Sequence, residues 1–204
     1  MGNHLKQFIF VIITILIWNN AISQIGVQIS YIKPAGTYGY VFKPTLGLEF
    51  NKEFSEREDN FRLGLSVGVF HLATRMDTFP TYAIMYSSST TLLPGYEIYK
   101  NYFSIPVGLN IEWKLGKKKL SPIIGTDVYL HFIFYKHWHF TTNLAEEYDS
   151  GGTFSIGLVP RVGVLYKINE KYSLSMGIGK CMSINEERSI LSYWKIFCKL
   201  HYYI

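Results

Sequence analysis

Apolar and polar residues alternate along most of this 204-residue chain. From Phe61 to Val69 (FRLGLSVGV), apolar residues occupy the odd positions, and arginine, glycine or serine occupies the even ones. Successive residues of a β-strand point to opposite faces, so this pattern predicts a strand with one apolar and one polar face. A helix, with a period of about 3.6 residues, does not produce it.

The same alternation recurs and predicts eight strands in total. They span residues 24–32, 39–50, 61–72, 99–114, 120–135, 153–167, 172–182 and 190–204. Most of them reach the ~9–11 residues that a tilted membrane-spanning strand needs. We therefore predict an all-β fold, an eight-stranded antiparallel up-and-down transmembrane β-barrel.

The lengths of the connections support a membrane barrel. Short polar turns are predicted at 116–119 and 169–171, and longer loops at 74–97, 136–152 and 183–189. Short turns at one end and long loops at the other are typical of outer-membrane barrels. The connection at 51–60 is longer than this layout prefers. The two longest loops, 74–97 and 136–152, are the candidate sites for a ligand.

Glycine placement indicates which face lines the interior. Ten glycines share the polar face of their strands: Gly26, Gly47, Gly64, Gly68, Gly108, Gly125, Gly157, Gly163, Gly177 and Gly179. An eight-stranded barrel is only just wide enough for its side chains, so small residues belong on its concave side. A solvated outer face has no reason to collect glycine, which weakens strands. The polar face is therefore predicted to be inside, which disfavours a soluble lipocalin-like barrel with an apolar interior.

Aromatic residues near the strand ends support the same orientation. Those predicted to form a girdle at the turn end are Phe50, Phe61, Trp113, Tyr166, Tyr172 and Tyr202. Those at the loop end are Tyr31, Tyr40, Phe154 and Trp194. All share the apolar-face parity, as two interfacial aromatic belts require. The alternative is the general preference of aromatic residues for strands.

Charged residues on the polar face are predicted to point into the barrel. They are Lys43, Glu49, Arg62, Glu112, Asp127, Arg161 and Lys195. Buried charges need partners of opposite sign and hydrogen bonds. We interpret this set as a structural network of ion pairs that fills the lumen, rather than as an ion or proton relay.

The N-terminus carries the pattern of a secretory signal peptide. Lys6 provides a basic start, Phe8 to Trp18 (FIFVIITILIW) is uninterruptedly apolar, and Ala21-Ile22-Ser23 offers a cleavage site of small residues. The predicted domains are thus a signal peptide at 1–23 and a barrel at 24–204. Cys181 and Cys198 are expected to remain free thiols, because the parity of their strands puts them on opposite faces.

Composition and motifs add little chemistry. The net charge is +5, but the basic residues are dispersed apart from Lys117-Lys118-Lys119, which is predicted to be a solvated turn. We expect no nucleic-acid partner. His137 and His139 could begin a metal site, yet spacing fixes no third ligand. No nucleophile elbow, phosphate-binding loop or zinc spacing is present. We expect no catalytic residue, metal or cofactor.

One catalytic alternative remains open from the residues. Some small barrels are enzymes that act on lipids with histidine, serine and acidic groups near the outer rim. His71, Glu97 and the serine tract from Ser87 to Ser89 could supply such groups.

Five segments resemble a known family. They are the signal peptide, the strand FRLGLSVGVFHL, the pair YFSIPVGLNIEWKL and KLSPIIGTDVYLHF, and the aromatic terminal strand. Together they resemble the porin-family, PorT-like outer-membrane β-barrel proteins of Gram-negative bacteria. The resemblance implies a non-enzymatic outer-membrane protein, inserted by the barrel assembly machinery and surrounded by outer-membrane lipids, and we expect a monomer. It would act through its outer loops or as a structural component.

Overall fold

The computed structural model describes residues 24–55, 60–86, 90–141, 147–185 and 190–204. The predicted signal peptide, 1–23, lies outside the described residues. The described residues form nine strands and one short helix. These are β1 (Gln24–Ala35), α1 (Thr37–Val41), β2 (Thr45–Glu53), β3 (Phe61–Leu72), β4 (Phe79–Tyr86), β5 (Thr90–Lys114), β6 (Leu120–Thr141), β7 (Glu147–Lys167), β8 (Tyr172–Asn185) and β9 (Ile190–Tyr203).

Eight of the strands close into an antiparallel barrel. The sheet order is β3-β2-β1-β9-β8-β7-β6-β5-β4, and an additional pairing of β3 with β5 closes the ring. β4 lies outside the ring, at the loop end, where it pairs with the first half of β5. The predicted eight-stranded antiparallel up-and-down barrel is confirmed.

The connection between β1 and β2 differs from the prediction. A second strand was expected from Gly39, but α1 occupies Thr37–Val41 and β2 begins only at Thr45. Gly36 has a φ of 61°, a conformation that costs glycine little, and it turns the chain at the end of β1. Pro44 then directly precedes β2. No helix among the described residues is long and apolar enough to cross a membrane.

Two predicted loops are largely strand. The expected loop 74–97 contains β4 and the start of β5. The expected loop 136–152 contains the last residues of β6 and the first residues of β7. A register shift between Lys100 and Phe103 explains part of the error. An extra residue in one strand reverses the parity of everything beyond it, so the alternation read from the sequence breaks there.

The two faces of the barrel wall have the polarity that the glycines predicted. Apolar side chains such as Ile29, Ile156 and Ile196 are 56%, 60% and 53% exposed, whereas polar and charged side chains fill the interior. Gly47 shows why glycine is needed inside, because a Cβ there would lie 2.2 Å from a ring carbon of Phe70. The aromatic ring occupies the space that the missing side chain leaves. Cys181 is buried and Cys198 exposed, so the two lie on opposite faces and form no disulfide with each other, as predicted.

Candidate functional site: the barrel interior and the loop-end rim

The interior charge network begins with Arg161 on β7. Its Nη1 donates to Glu112 Oε2 on β5 at 2.6 Å, and its Nε donates to Asp127 Oδ1 on β6 at 2.9 Å. The side chain of Asn110 also donates to Asp127 Oδ1, at 2.9 Å. One guanidinium thus bridges carboxylates from two neighbouring strands, an arrangement that its planar set of donors favours.

A second group crosses the lumen near its middle. Lys195 on β9 donates from Nζ to Glu49 Oε1 on β2 at 2.8 Å and to the Tyr129 hydroxyl on β6 at 2.8 Å. Tyr129 in turn donates to Glu49 Oε2 at 2.6 Å. Lys195 Nζ lies 3.7 Å from Asp127 Oδ2, which joins this group to the first. These contacts tie opposite walls of the barrel together.

A third group lies at the turn end. Glu53 Oε1 accepts from Lys199 Nζ at 2.5 Å and lies 3.2 Å from His201 Nδ1. Arg62 Nη1 stands 3.8 Å from Glu53 Oε2 and 3.7 Å from Glu112 Oε1, so it links this group to Arg161. The Tyr203 hydroxyl accepts from Arg62 Nη2 at 3.2 Å.

These ion pairs are balanced in charge. The carboxylates are Glu49, Glu53, Glu112 and Asp127, and the cations are Arg62, Arg161, Lys195 and Lys199, so four negative groups meet four positive ones. All eight side chains are buried. We name them the charge network. Buried charges are tolerated only when they are paired and hydrogen-bonded. The charge network meets this condition and fills this part of the lumen with polar side chains.

Six of the seven predicted interior charges lie in the charge network, and the seventh does not. Lys43 is exposed and lies between α1 and β2, where its backbone N–H donates to the Ala73 carbonyl at 2.7 Å. Its predicted place was wrong because the chain is not extended before Pro44. Glu53 and Lys199 were missed. Glu53 was assigned to the connection at 51–60, although its odd position matches Glu49, and Lys199 has the parity of Lys195.

An aromatic layer fills the loop-end part of the lumen. It contains Ile32, Phe42, Phe70, Leu72, Tyr102, Tyr129, Ile133, Val159, Cys181 and Tyr193, all buried. The rings of Phe42 and Tyr102 are 4.9 Å apart, and those of Phe70 and Tyr193 are 6.1 Å apart. His131 is fully buried among them and shares a hydrogen bond with Ser104 at 3.1 Å. The sequence analysis missed this layer, and one of its members, Phe42, reaches it from a connection that was expected to be a strand.

The predicted girdle aromatics are all exposed. At the turn end, Phe61 and Trp113 pair across β3 and β5 with ring centroids 5.2 Å apart, and Tyr172 and Tyr202 do the same across β8 and β9 at 5.2 Å. The other predicted members on strands are Tyr31, Phe50, Phe154, Tyr166 and Trp194. Tyr40 differs from its prediction, because it lies on α1 rather than on a strand.

The rim histidines have an acidic neighbour. Glu97 on β5 places Oε2 3.7 Å from His137 Nε2 and Oε1 3.4 Å from His139 Nδ1. The Tyr99 hydroxyl also donates to Glu97, and the Tyr99 ring stacks on His137 at 4.6 Å. Among the side chains that the structure describes, no three histidine, cysteine or acidic groups have the geometry of a metal site.

The two described members of the hypothetical catalytic group, His71 and Glu97, lie on opposite faces of the sheet. His71 is exposed on the outer wall, where its ring lies 4.8 Å from that of Phe103. Glu97 faces the two rim histidines on the inner side of the extended sheet. The serine tract 87–89 lies outside the described residues. Among the described residues of this catalytic alternative, His71 and Glu97 therefore do not lie side by side on the outer wall.

Comparisons with known proteins bear on the fold. No family model matches the sequence. No curated protein matches it. Among solved structures, neisserial surface protein A aligns over 89% of this chain and 97% of its own, with 7% identity and a TM-score of 0.54. Outer membrane protein W of E. coli aligns over 91% of this chain and all of its own, with 16% identity and a TM-score of 0.41. At 7% identity, the likeness to the neisserial protein shows the fold alone, a small closed antiparallel β-barrel.

Proposed function

We propose that the protein is a non-enzymatic outer-membrane barrel with a side-chain-filled lumen, which acts through its loop-end extension or as a structural component. The observation that carries the proposal is the polarity of the wall, which is apolar outside and charged inside. This is the reverse of a soluble barrel, whose outer surface meets water and whose interior binds an apolar ligand. A continuous exposed apolar surface on a monomer marks an interaction site, and here it surrounds the barrel.

The aromatic positions support a membrane boundary at each end of this apolar wall. Tyr and Trp rings are enriched where lipid headgroups meet the hydrocarbon core. Phe61, Trp113, Tyr172 and Tyr202 would mark the boundary at the turn end, and Tyr31, Phe154 and Trp194 the boundary at the loop end. We infer from this arrangement that the short turns face the periplasm and the long connections face outward.

The loop-end extension is the candidate site of action. β6 and β7 remain paired as far as His139 and Glu147, whereas the pairing of β7 with β8 ends at Ser155 and Asn185. Together with β4, these strands form a sheet that projects beyond the ring. β4 lies at the end of the sheet order, and edge strands of this kind accept an additional strand from a partner. The extension covers both predicted ligand sites, 74–97 and 136–152.

The aromatic surface of the extension is suited to such contacts. Tyr96 and Phe140 stack with centroids 4.6 Å apart, and Tyr96 is 44% exposed. Exposed aromatic rings supply large contact areas at low cost in side-chain entropy. We propose a protein or glycan ligand on the host or cell surface as the class of partner for this extension.

The membrane assignment is tested by fractionation and refolding. The protein should be recovered with outer membranes, and purified protein should fold into lipid vesicles and resist protease except at its loops. Recovery as a soluble periplasmic protein would overturn the assignment. Export is tested separately, since the N-terminus of membrane-extracted protein should be Gln24, and an intact Met1 would contradict cleavage.

The role of the extension is tested by shortening it. A variant in which residues 80–95 are replaced by a short Gly-Ser linker keeps the ring intact, because Phe79 and Glu97 are already opposite each other. This variant should insert normally but lose binding to target cells. Replacing the turn residues 117–118 by Gly-Ser provides the control at the other end. Equal binding by both variants would contradict a role for the extension.

A further inference from the structure

A basic and aromatic cluster lies on the outer wall at the loop end. Trp194 on β9 is directly opposite Lys33 on β1 and directly opposite Lys180 on β8. The ammonium of Lys180 stands 5.5 Å from the centre of the Trp194 ring. All three side chains are exposed. We call Lys33, Lys180 and Trp194 the first lysine cluster.

A similar cluster lies on a different part of the wall. Lys100 on β5 is directly opposite Lys136 on β6, and both lysines are exposed. The ammonium of Lys100 stands 5.5 Å from the centre of the Trp138 ring, which packs against Tyr148 at 4.8 Å. We call Lys100, Lys136 and Trp138 the second lysine cluster. Each cluster therefore consists of two lysines and one tryptophan on the outward face of adjacent strands.

The spacing of the lysines points to an anion. Like charges directly opposite each other in a sheet are destabilising, and Lys100 and Lys136 are such a pair. None of the four lysines forms an ion pair with a carboxylate whose side chain the structure describes. By contrast with these four lysines, each cation of the charge network has a carboxylate partner inside the barrel. On the outer wall, none of the described carboxylates compensates these four lysines, which leaves their charge available to an anion from another molecule.

The position of the first lysine cluster selects the kind of anion. Trp194 belongs to the loop-end aromatic belt, and Lys33 lies two residues beyond Tyr31 in the same belt. In the proposed orientation, this level is where the headgroups of the outward leaflet meet the hydrocarbon core. Lysines at that level attract anionic headgroups, and a tryptophan beside them packs on the glycerol or sugar region.

We propose that the first lysine cluster binds the phosphate-bearing headgroups of anionic lipids in the leaflet at the loop end. This inference rests on the proposed membrane orientation. The chemistry is a phosphate monoester or diester attached to a lipid, held by two ammonium groups above an indole ring. The alternative, in which the lysines only extend into water from the apolar wall, predicts no preference between lipid classes.

The test compares lipid binding by native mass spectrometry. Purified full-length mature protein in detergent is mixed with equal amounts of phosphatidylglycerol and phosphatidylcholine. The wild type should retain more phosphatidylglycerol, and Lys33→Ser with Lys180→Ser should reduce that preference by about thirtyfold. Lys100→Ser with Lys136→Ser removes the same charge from the extension beyond the ring and should leave the preference unchanged. The matched control is Lys117→Ser with Lys118→Ser, which removes the same charge at the other end and should change nothing.

Two further measurements keep the inference distinct from the proposed function. Soluble glycerophosphate should compete poorly with the lipid, and equal competition would overturn the assignment to a lipid. Insertion into phosphatidylcholine vesicles should proceed equally in wild type and variants. Normal insertion without lipid preference would refute this inference alone, whereas failure of the wild type to insert would refute the proposed function.

Discussion

The two halves of the barrel interior are filled in different ways. The turn-end half contains the charge network, in which Arg161, Lys195 and Lys199 each contact a carboxylate within 3 Å. The loop-end half contains an aromatic layer around Phe70 and Tyr193. On the same eight strands, charged side chains thus fill one half of the narrow lumen and apolar side chains fill the other half. The polar half depends on pairing, so it should tolerate the loss of one partner worse than the apolar half tolerates the loss of volume.

The largest expected effect comes from removing the central guanidinium. Arg161→Ala leaves Glu112 and Asp127 buried without their main partner, and breaking a buried pair in this way costs about 3–5 kcal/mol. The measurement is the free energy of unfolding from vesicles in urea. Lys43→Ala, which removes an exposed charge outside the network, is the control and should be within about 0.5 kcal/mol of wild type. Equal effects of the two substitutions would contradict a structural charge network.

A somewhat smaller loss is expected in the aromatic layer. Phe70→Ala removes the ring that packs over Gly47 and should cost about 3 kcal/mol through lost burial and an unfilled cavity. Unlike Arg161→Ala, this variant should be partly restored by Gly47→Ala, because the new methyl group would occupy the vacated space. The double variant is measured in the same urea titration. A further loss of stability in the double variant would show that the ring and the glycine are not complementary.

The next largest loss of stability is expected from a charge placed on the apolar outer face of the barrel wall. Val67→Arg places a cation on the outward wall near the middle of β3, where a lipid-facing arginine costs about 2–4 kcal/mol. Because this cost arises from the lipid, it should fall when the protein is unfolded from detergent micelles rather than from vesicles. Val67→Leu is the matched control and should behave like the wild type. Insertion of Val67→Arg at the wild-type yield would show that the face assignment is wrong.

The smallest effect tests the polar contacts of the aromatic layer. The Tyr193 hydroxyl lies 3.4 Å from His131 Nε2, a long contact that should contribute less than about 1 kcal/mol. Tyr193→Phe retains the ring, so the free energy of unfolding should change little. A loss as large as that of Arg161→Ala would indicate that the loop-end half also depends on polar pairing.

The fold could be predicted from the sequence because a narrow closed barrel requires glycine at particular positions of its inner face. Gly47, Gly108 and Gly163 stand where a Cβ would lie within about 2.3 Å of a neighbouring atom, so the chain can carry only glycine there. The alternation of Phe61–Leu72 then indicates which side faces outward and which faces the lumen. Both the glycine positions and the alternation are local patterns, so both can be read from a single sequence.

The errors arose where a local signal was interrupted. The register shift beside Phe103 reverses the parity of β5, so the alternation does not reveal the first part of that strand. Helix α1 replaced the start of the second strand, which moved Lys43 out of the lumen and brought Phe42 into the aromatic layer. Pairings such as Glu49 with Lys195 join strands that are distant in sequence, and no spacing rule identifies them. The sequence could therefore indicate which charges share a face but not which of them form pairs.

Single-channel recording in planar bilayers tests the central claim most directly. An eight-stranded barrel is narrow enough for side chains to fill, whereas open aqueous channels need about sixteen strands. With the charge network and the aromatic layer in place, purified protein should give no steady large conductance, and Arg161→Ala should open little because the aromatic layer remains. A stable, well-defined large pore formed by the wild-type monomer would contradict the filled lumen.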